Sequence, residues 1–377
     1  MNHNMKIGIM SIVDSISNPA SLSFENLYNS IGLNTGNLMF TNAVLKQLKG
    51  NIQRIGFSFN PYQINNDFDV LVIPAANWIN SYSDWDWLSD LLEKITMPVV
   101  TIGIGVQANS NDIKSIQVNS SCMRLAKLLS SKANYISVRG NFTRDWFIDN
   151  GMKNVVTTGC PSMYMRFEKR EGSTNSINNV VIQSTRYYIS SDFLKNYSEN
   201  RELYKIAATN NFDMVYQSEP EEINYLVYGD EHHNKSNLEL RVPLVKLYGL
   251  PGPAELKDFL RQHGKAFFSI EDWADYLSNK TGVIGTRLHV TILALNLGLP
   301  AVLIPHDSRT QEMAEFAAIP TAGLELINKK IIEGVLFDYL KTLDIGNYLK
   351  QRKKNSLIYQ EFLLANNLEF NKDQILD

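Results

Sequence analysis

The chain has 377 residues, of which 44% are apolar, 20% charged and 10% aromatic, which is material for two or three cores at about 150 residues each. Lys and Arg number 36 against 39 Asp and Glu, a net charge of −3; this excludes the broad basic field of a nucleic-acid binder and leaves room for a local basic pocket only. Cys122 and Cys160 lack metal-ligand spacing, so both read as free thiols of a reducing compartment, and neither metal nor cofactor is expected.

At the amino terminus Lys6 leads into an apolar stretch, Ile7 to Val13, that stops at Asp14 without a small-residue cleavage site; it reads as a first strand. Short apolar runs then alternate with longer segments of helical period, the pattern of parallel strands linked by helices. Strands are expected at Lys6 to Val13, Arg54 to Phe59, Asp69 to Ile73, Pro98 to Ile104, Asn134 to Val138 and Asn154 to Thr158, giving a first α/β domain over residues 1–165. A charged and then Ser/Asn-rich stretch, 166–179, reads as a linker. Further strands at Val180 to Gln183, Phe212 to Tyr216, Ala266 to Ser269, Gly282 to Gly285 and Ala301 to Ile304 build a second domain over 180–328. Residues 329–377 carry two helical stretches, Lys329 to Leu343 and Asn347 to Asn366, which must pack outside or cross back to the first domain. The most apolar segment, Val290 to Pro305, is broken by Asn296, Gly298 and Pro300 and falls short of the roughly 18 apolar residues of a membrane span. The expectation is a cytoplasmic α/β protein with two doubly wound, Rossmann-like domains facing across a cleft, whose useful residues sit just after strands.

Taken in chain order, Asn34-Thr35-Gly36-Asn37 opens the first long helix, as an Asn N-cap or as a ligand-facing loop. After the third strand come Asn77, Asn80, Asp84 and Asp86 with Trp78 and Trp85; helix capping explains one Asp, and a carboxylate taking a sugar proton beside a stacking indole explains the set as well. Gly103 to Ala108 fits the dinucleotide pattern with Ala in the last place, but the acidic residue expected about 20 positions on is missing, so it reads as a strand-end turn. Arg139 follows a strand directly, either as a surface arginine or as a cleft residue. The densest constellation is Gly285-Thr286-Arg287-Leu288-His289, a strand, turn and helix start that can hold an anion. Arg287 and His289 are two apart and converge only if the turn is extended; the bland alternative makes Thr286 an N-cap with a solvent-facing Arg and His. Ser308 with Gln311 reads as a capping box, with Arg309 free to face the cleft. The pair His232-His233 is assigned to solvent, and the run Lys350, Arg352, Lys353 and Lys354 to a solvated helix face, with contact to an anionic membrane surface as the sharper option.

These residues resemble the polysaccharide pyruvyl transferases. The likeness rests on Val138-Arg139-Gly140 followed by Gly159-Cys160-Pro161-Ser162, on Gly285-Thr286-Arg287-Leu288-His289 with the following Gly298-Leu299-Pro300, on Ile102 to Gln107, and on Asn34-Thr35-Gly36. The resemblance implies a fold similar to the GT-B glycosyltransferases and transfer of pyruvate from phosphoenolpyruvate to a sugar, or a lipid-linked oligosaccharide, as a cyclic ketal. It also implies that Arg139, Arg287, Leu288 and His289 bind phosphoenolpyruvate. The residues suggest protonated His289 as the acid, with Asp84 as a candidate base. Two departures lie in the first domain: Asn37 where relatives often have Asp, and Ala75-Ala76-Asn77-Trp78 in place of a glycine run. Alternatives are a GT-B glycosyltransferase using a sugar nucleotide and a non-catalytic glycan-binding relative. The acceptor sugar and the oligomeric state are not legible in the sequence.

Overall fold

The computed structural model describes residues 4–108, 113–167, 179–185, 198–229 and 238–376. Most of the proposed linker, and the pair His232-His233, lie outside the described residues. In the first half the strands are β1 (Lys6–Met10), β2 (Asn51–Ile55), β3 (Val70–Pro74), β4 (Val99–Ile102), β5 (Ile136–Val138) and β6 (Val155–Thr157). They form a parallel sheet of order β2-β1-β3-β4, to which the β5-β6 pair is joined by a parallel bridge between Ile104 and Val138. The second half adds β7 (Val180–Gln183), β8 (Asp213–Tyr216), β9 (Gly264–Ala266), β10 (Gly282–Gly285) and β11 (Ala301–Leu303), all parallel in the order β11-β10-β7-β8-β9.

Central strands such as β3, β4 and β7 are buried along their whole length, because helices cover both faces of each sheet and the Val/Ile runs have nowhere else to point. Two edge strands shift from their expected places. β2 is polar and largely exposed and precedes the Phe57 to Phe59 run that marked it. β9 ends at Ala266, because Ser269 is already the N-cap of the helix Ile270–Leu277, accepting the Asp272 N–H. β1 likewise stops at Met10.

The expected tail helix Lys329 to Leu343 is two helices, Leu324–Ile332 and Leu336–Lys341, separated at Gly334 with φ +70°. The last helix, Gly346–Ala365, runs back onto the first half. There Tyr359 OH donates to Gln47 Oε1 at 3.1 Å, Asn134 Nδ2 donates to the Ala365 carbonyl at 2.9 Å, and Leu48 and Met165 pair with Phe370 and Ile375. Asn296 of the second half joins three elements: its Nδ2 donates to Ser162 O at 2.9 Å, and its Oδ1 accepts from Tyr348 OH at 2.8 Å and Arg352 Nη1 at 3.1 Å. Arg352 is therefore buried against Tyr348 and is not part of a solvated face, which keeps Lys350, Lys353 and Lys354. No described helix is long and apolar enough to cross a membrane. Both cysteines are free and buried.

Candidate functional site

The carboxyl ends of the two sheets face each other, and residues that follow strands meet there. From the second half, Gly285 ends β10 with its Cα so close to Gln183 that an added Cβ would lie 1.9 Å from the Gln183 carbonyl oxygen, at φ +156°, so only glycine fits. The next residues are extended: Arg287 is the N-cap of helix Leu288–Asn296 with φ −93° and ψ 122°. Thr286 is not the cap; its hydroxyl accepts from Thr185 Oγ1 at 2.8 Å. The extended turn removes the spacing problem and lets both Arg287 and His289 reach the cleft. Arg287 is clamped, Nε to Ser184 O at 2.7 Å and Nη2 to Glu219 Oε1 at 2.7 Å, and Glu219 is itself fixed by the N–H groups of Gln217 and Ser218.

His289 is 9% exposed, with Nε2 3.9 Å from Cys160 Sγ of the first half. Its Nδ1 lies on the other side, where a Cβ added to Gly36 would fall 2.6 Å away, and 2.5 Å from Gln217 Oε1. Gly36 is thus a glycine because two halves of the molecule close over it. Burial, followed by the charges of Arg139, Arg309 and Arg287, holds the imidazole well below its usual pKa. These surroundings disfavour the protonated form of His289 that the acid role expects.

Arg139 is 2% exposed and is no surface residue. Its Nε donates to Gly103 O at 2.8 Å and its Nη2 to Ala75 O at 3.2 Å, while the guanidinium lies over the Phe40 ring at 5.8 Å. The strand-end turn Gly103 to Gly105 supports it; an added Cβ at Gly105 would sit 2.8 Å from Asn77 Oδ1 and 3.2 Å from Arg139 Cδ. Asn77 is thereby brought beside Arg139. Buried polar atoms without a hydrogen-bond partner cluster around the same strand ends: Asn77 Oδ1, Thr35 Oγ1, Gln183 Oε1, Gln217 Nε2 and Arg309 Nε. Orphaned groups of this kind cost free energy unless a ligand or water meets them.

Other expected residues have local roles. Asn34 Oδ1 accepts the Gly36 N–H at 2.8 Å, and the helix Asn37–Gln47 follows with Gly36 at its N-cap, so Asn34 shapes the turn and is not the cap. Asp84 is exposed and accepts the Asp86 N–H at 3.0 Å, and no contact among the described residues joins it to Arg139 or His289. Trp78 is buried with its ring 4.9 Å from that of Trp85, leaving Tyr82 in the loop and Trp87 in the following helix Asp86–Glu93 as exposed aromatics. In the helix Ser308–Ala317 the capping box is Asp307 with Thr310, not Ser308 with Gln311, because Asp307 Oδ1 takes the Thr310 N–H at 2.8 Å. Gln217 and Glu312 were missed by sequence reasoning; Gln217, which follows β8, had the same strand-end signal as Arg139.

The model of the family described as polysaccharide pyruvyl transferase matches residues 34–308. Among solved structures, HepE from Anabaena, solved in complex with UDP and glucose, is 11% identical with a TM-score of 0.51, covering 96% of this chain and 99% of that one. MnaA from S. aureus, solved with UDP, is 10% identical with a TM-score of 0.47, covering 97% and 98%. No curated protein matches the chain. The architecture is GT-B-like: two parallel α/β halves and carboxyl-terminal helices.

Proposed function

The chain belongs to the polysaccharide pyruvyl transferase family, and from this premise we propose that it moves pyruvate from phosphoenolpyruvate onto two hydroxyls of a sugar in a polysaccharide or its precursor. The observation that carries the donor is charge. Three arginines, Arg139, Arg309 and Arg287, act on one buried imidazole; Arg287 is paired with Glu219 at 2.7 Å and Arg309 with Asp307 at 3.4 Å, while the Arg139 guanidinium donates to carbonyls and not to carboxylates. A small anion with both a carboxylate and a phosphate matches that set as a charge-assisted acceptor.

In this reading Arg139 and Arg287 hold the two anionic groups from opposite sides of the cleft. The bound anion offsets the arginine charge on His289, whose pKa rises so that it takes up a proton. His289 then delivers a proton to the methylene carbon C3 while one sugar hydroxyl adds to C2. The C2–O bond to phosphate breaks as the second hydroxyl closes the ketal. Of the two hydroxyl protons, one balances the new methyl group and the other leaves on phosphate. Asn77 and Gln217, each with a buried polar atom that lacks a partner beside Arg139 or His289, are the groups assigned to orient the acceptor.

The test is release of inorganic phosphate from phosphoenolpyruvate in the presence of a glycan acceptor. Arg139→Ala should lower kcat/KM by at least about a hundredfold, the scale of one lost charge-assisted donor in a dry site. Release of a nucleoside diphosphate from a sugar nucleotide, with none from phosphoenolpyruvate, would instead assign a glycosyltransferase.

A further inference from the structure

The helix Asn141–Asp149 begins two residues after Arg139, and its N-cap is Gly140, which has no side chain to accept the free N–H groups of the first turn. The acceptor comes from the other half of the molecule. Glu312, on the helix Ser308–Ala317, accepts the Thr143 N–H on Oε2 at 3.0 Å and the Thr143 hydroxyl on Oε1 at 2.9 Å. Thr143 Oγ1 in turn accepts the Val106 N–H at 3.1 Å. Val106 continues the Gly103 to Gly105 turn that carries Arg139, so a hydrogen-bonded line runs from Glu312 through Thr143 to the support of the guanidinium.

Close approach is built into the sequence at this point. A Cβ on Gly140 would lie 2.5 Å from Glu312 Oε2, so the same glycine that leaves the helix uncapped makes room for the carboxylate. Thr143 is fully buried and Glu312 is 5% exposed. Burial pushes the Glu312 carboxyl up to about 7, against the opposing pull of the Thr143 bonds and the Arg139 charge. A carboxyl kept dry at that cost is an expensive way to hold two surfaces together, and an apolar contact would do so more cheaply. Its geometry has a second use. A negative group at a helix N-terminus is also favoured by the helix dipole.

We propose that Glu312 is a positioning residue that completes the Arg139 side of the donor site from across the cleft, by capping in trans the helix into which Arg139 leads. The proposal deepens the pyruvyl-transfer reading and rests on it for the identity of the donor. Its consequence is that the helix after Arg139, and through Val106 the turn that supports the guanidinium, gain their last hydrogen bonds only when the two halves are docked.

The experiment uses the full chain and four forms: wild type, Glu312→Ala, Glu312→Gln and Thr143→Val. Phosphoenolpyruvate affinity is measured by calorimetry, and exchange of the Thr143 amide by hydrogen–deuterium exchange. Glu312→Ala should weaken phosphoenolpyruvate about tenfold, the scale of one lost hydrogen bond, and speed Thr143 exchange. Thr143→Val, which keeps the shape of the side chain, should weaken donor binding in the same direction, and the two changes together should be less than additive. Glu312→Gln keeps an acceptor and should recover most of the affinity. Wild-type affinity in both Glu312→Ala and Thr143→Val would overturn the proposal, as would a Glu312→Gln as weak as Glu312→Ala, since that would trace the effect to charge and not to capping. If the wild type itself does not bind phosphoenolpyruvate, the donor reading falls, while the exchange of the Thr143 amide still decides whether Glu312 caps the helix.

Discussion

At the scale of single residues, His289 is held in a state that its partners would change. The ring is neutral because burial comes first, and three arginine charges follow. A bound trianion reverses the second effect, so donor binding should take up a proton, and affinity should rise as the pH falls toward the ordinary imidazole range. Calorimetry in two buffers of different ionisation enthalpy measures this uptake; His289→Gln should abolish it and lower turnover by about a hundredfold or more with little loss of donor affinity. No difference between buffers would show that the ring stays neutral throughout. The placement of Arg139 and His289 just beyond strand ends was legible in the sequence, the end at which ligands of parallel sheets gather. Glu312 was not, since its partner Thr143 lies 169 positions away and only docking of the two halves brings them together. Arg352 failed for a related reason: a basic run on a helix shows its charge, not which neighbour waits on one side, here Asn296 and Tyr348.

At the scale of elements, the second sheet is tied at its amino-terminal end, opposite the site. Asp213, the first residue of β8, accepts from Lys280 Nζ at 2.6 Å, Tyr276 OH at 2.6 Å and Asn179 Nδ2 at 3.0 Å, and its Oδ1 lies 3.1 Å from His263 Nδ1. Burial works against the charge, yet the Lys280, Tyr276 and His263 donors hold the carboxyl below its ordinary range. Its stabilisation is thus present above the unfolded pKa of about 3.9 and is lost as pH falls through the folded value. Asp213→Ala should cost about 3 kcal/mol in urea unfolding near neutral pH, because Lys280, with its side chain only 13% exposed, loses its partner. The gap to wild type should narrow in acid; a gap unchanged down to about pH 2 would place the effect elsewhere. The sheets themselves were readable from apolar runs. The edges β2 and β9 were not, because an edge strand is polar on the side that faces water and leaves no run to find.

At the scale of the whole molecule, the last helix and the site depend on the same junction. Asn296 receives Tyr348 and Arg352 and donates to Ser162, and the Tyr164 ring stacks on Tyr359 at 5.0 Å. Asn296→Ala should therefore destabilise the protein by about 2–3 kcal/mol, since it leaves a buried guanidinium and a hydroxyl short of an acceptor. Chemical denaturation measures this; a loss below about 0.5 kcal/mol would mean that the junction is held by apolar packing alone. The crossing of that helix also orders events in time. Gln47 leaves the ribosome some 300 residues before Tyr359, a delay on the order of tens of seconds at ordinary elongation rates. Throughout that interval Gln47 and the first-half core residues that share a cluster with Tyr359, Phe362 and Leu363 lack those partners, so the first half of the chain is begun early and completed only when the last helix arrives.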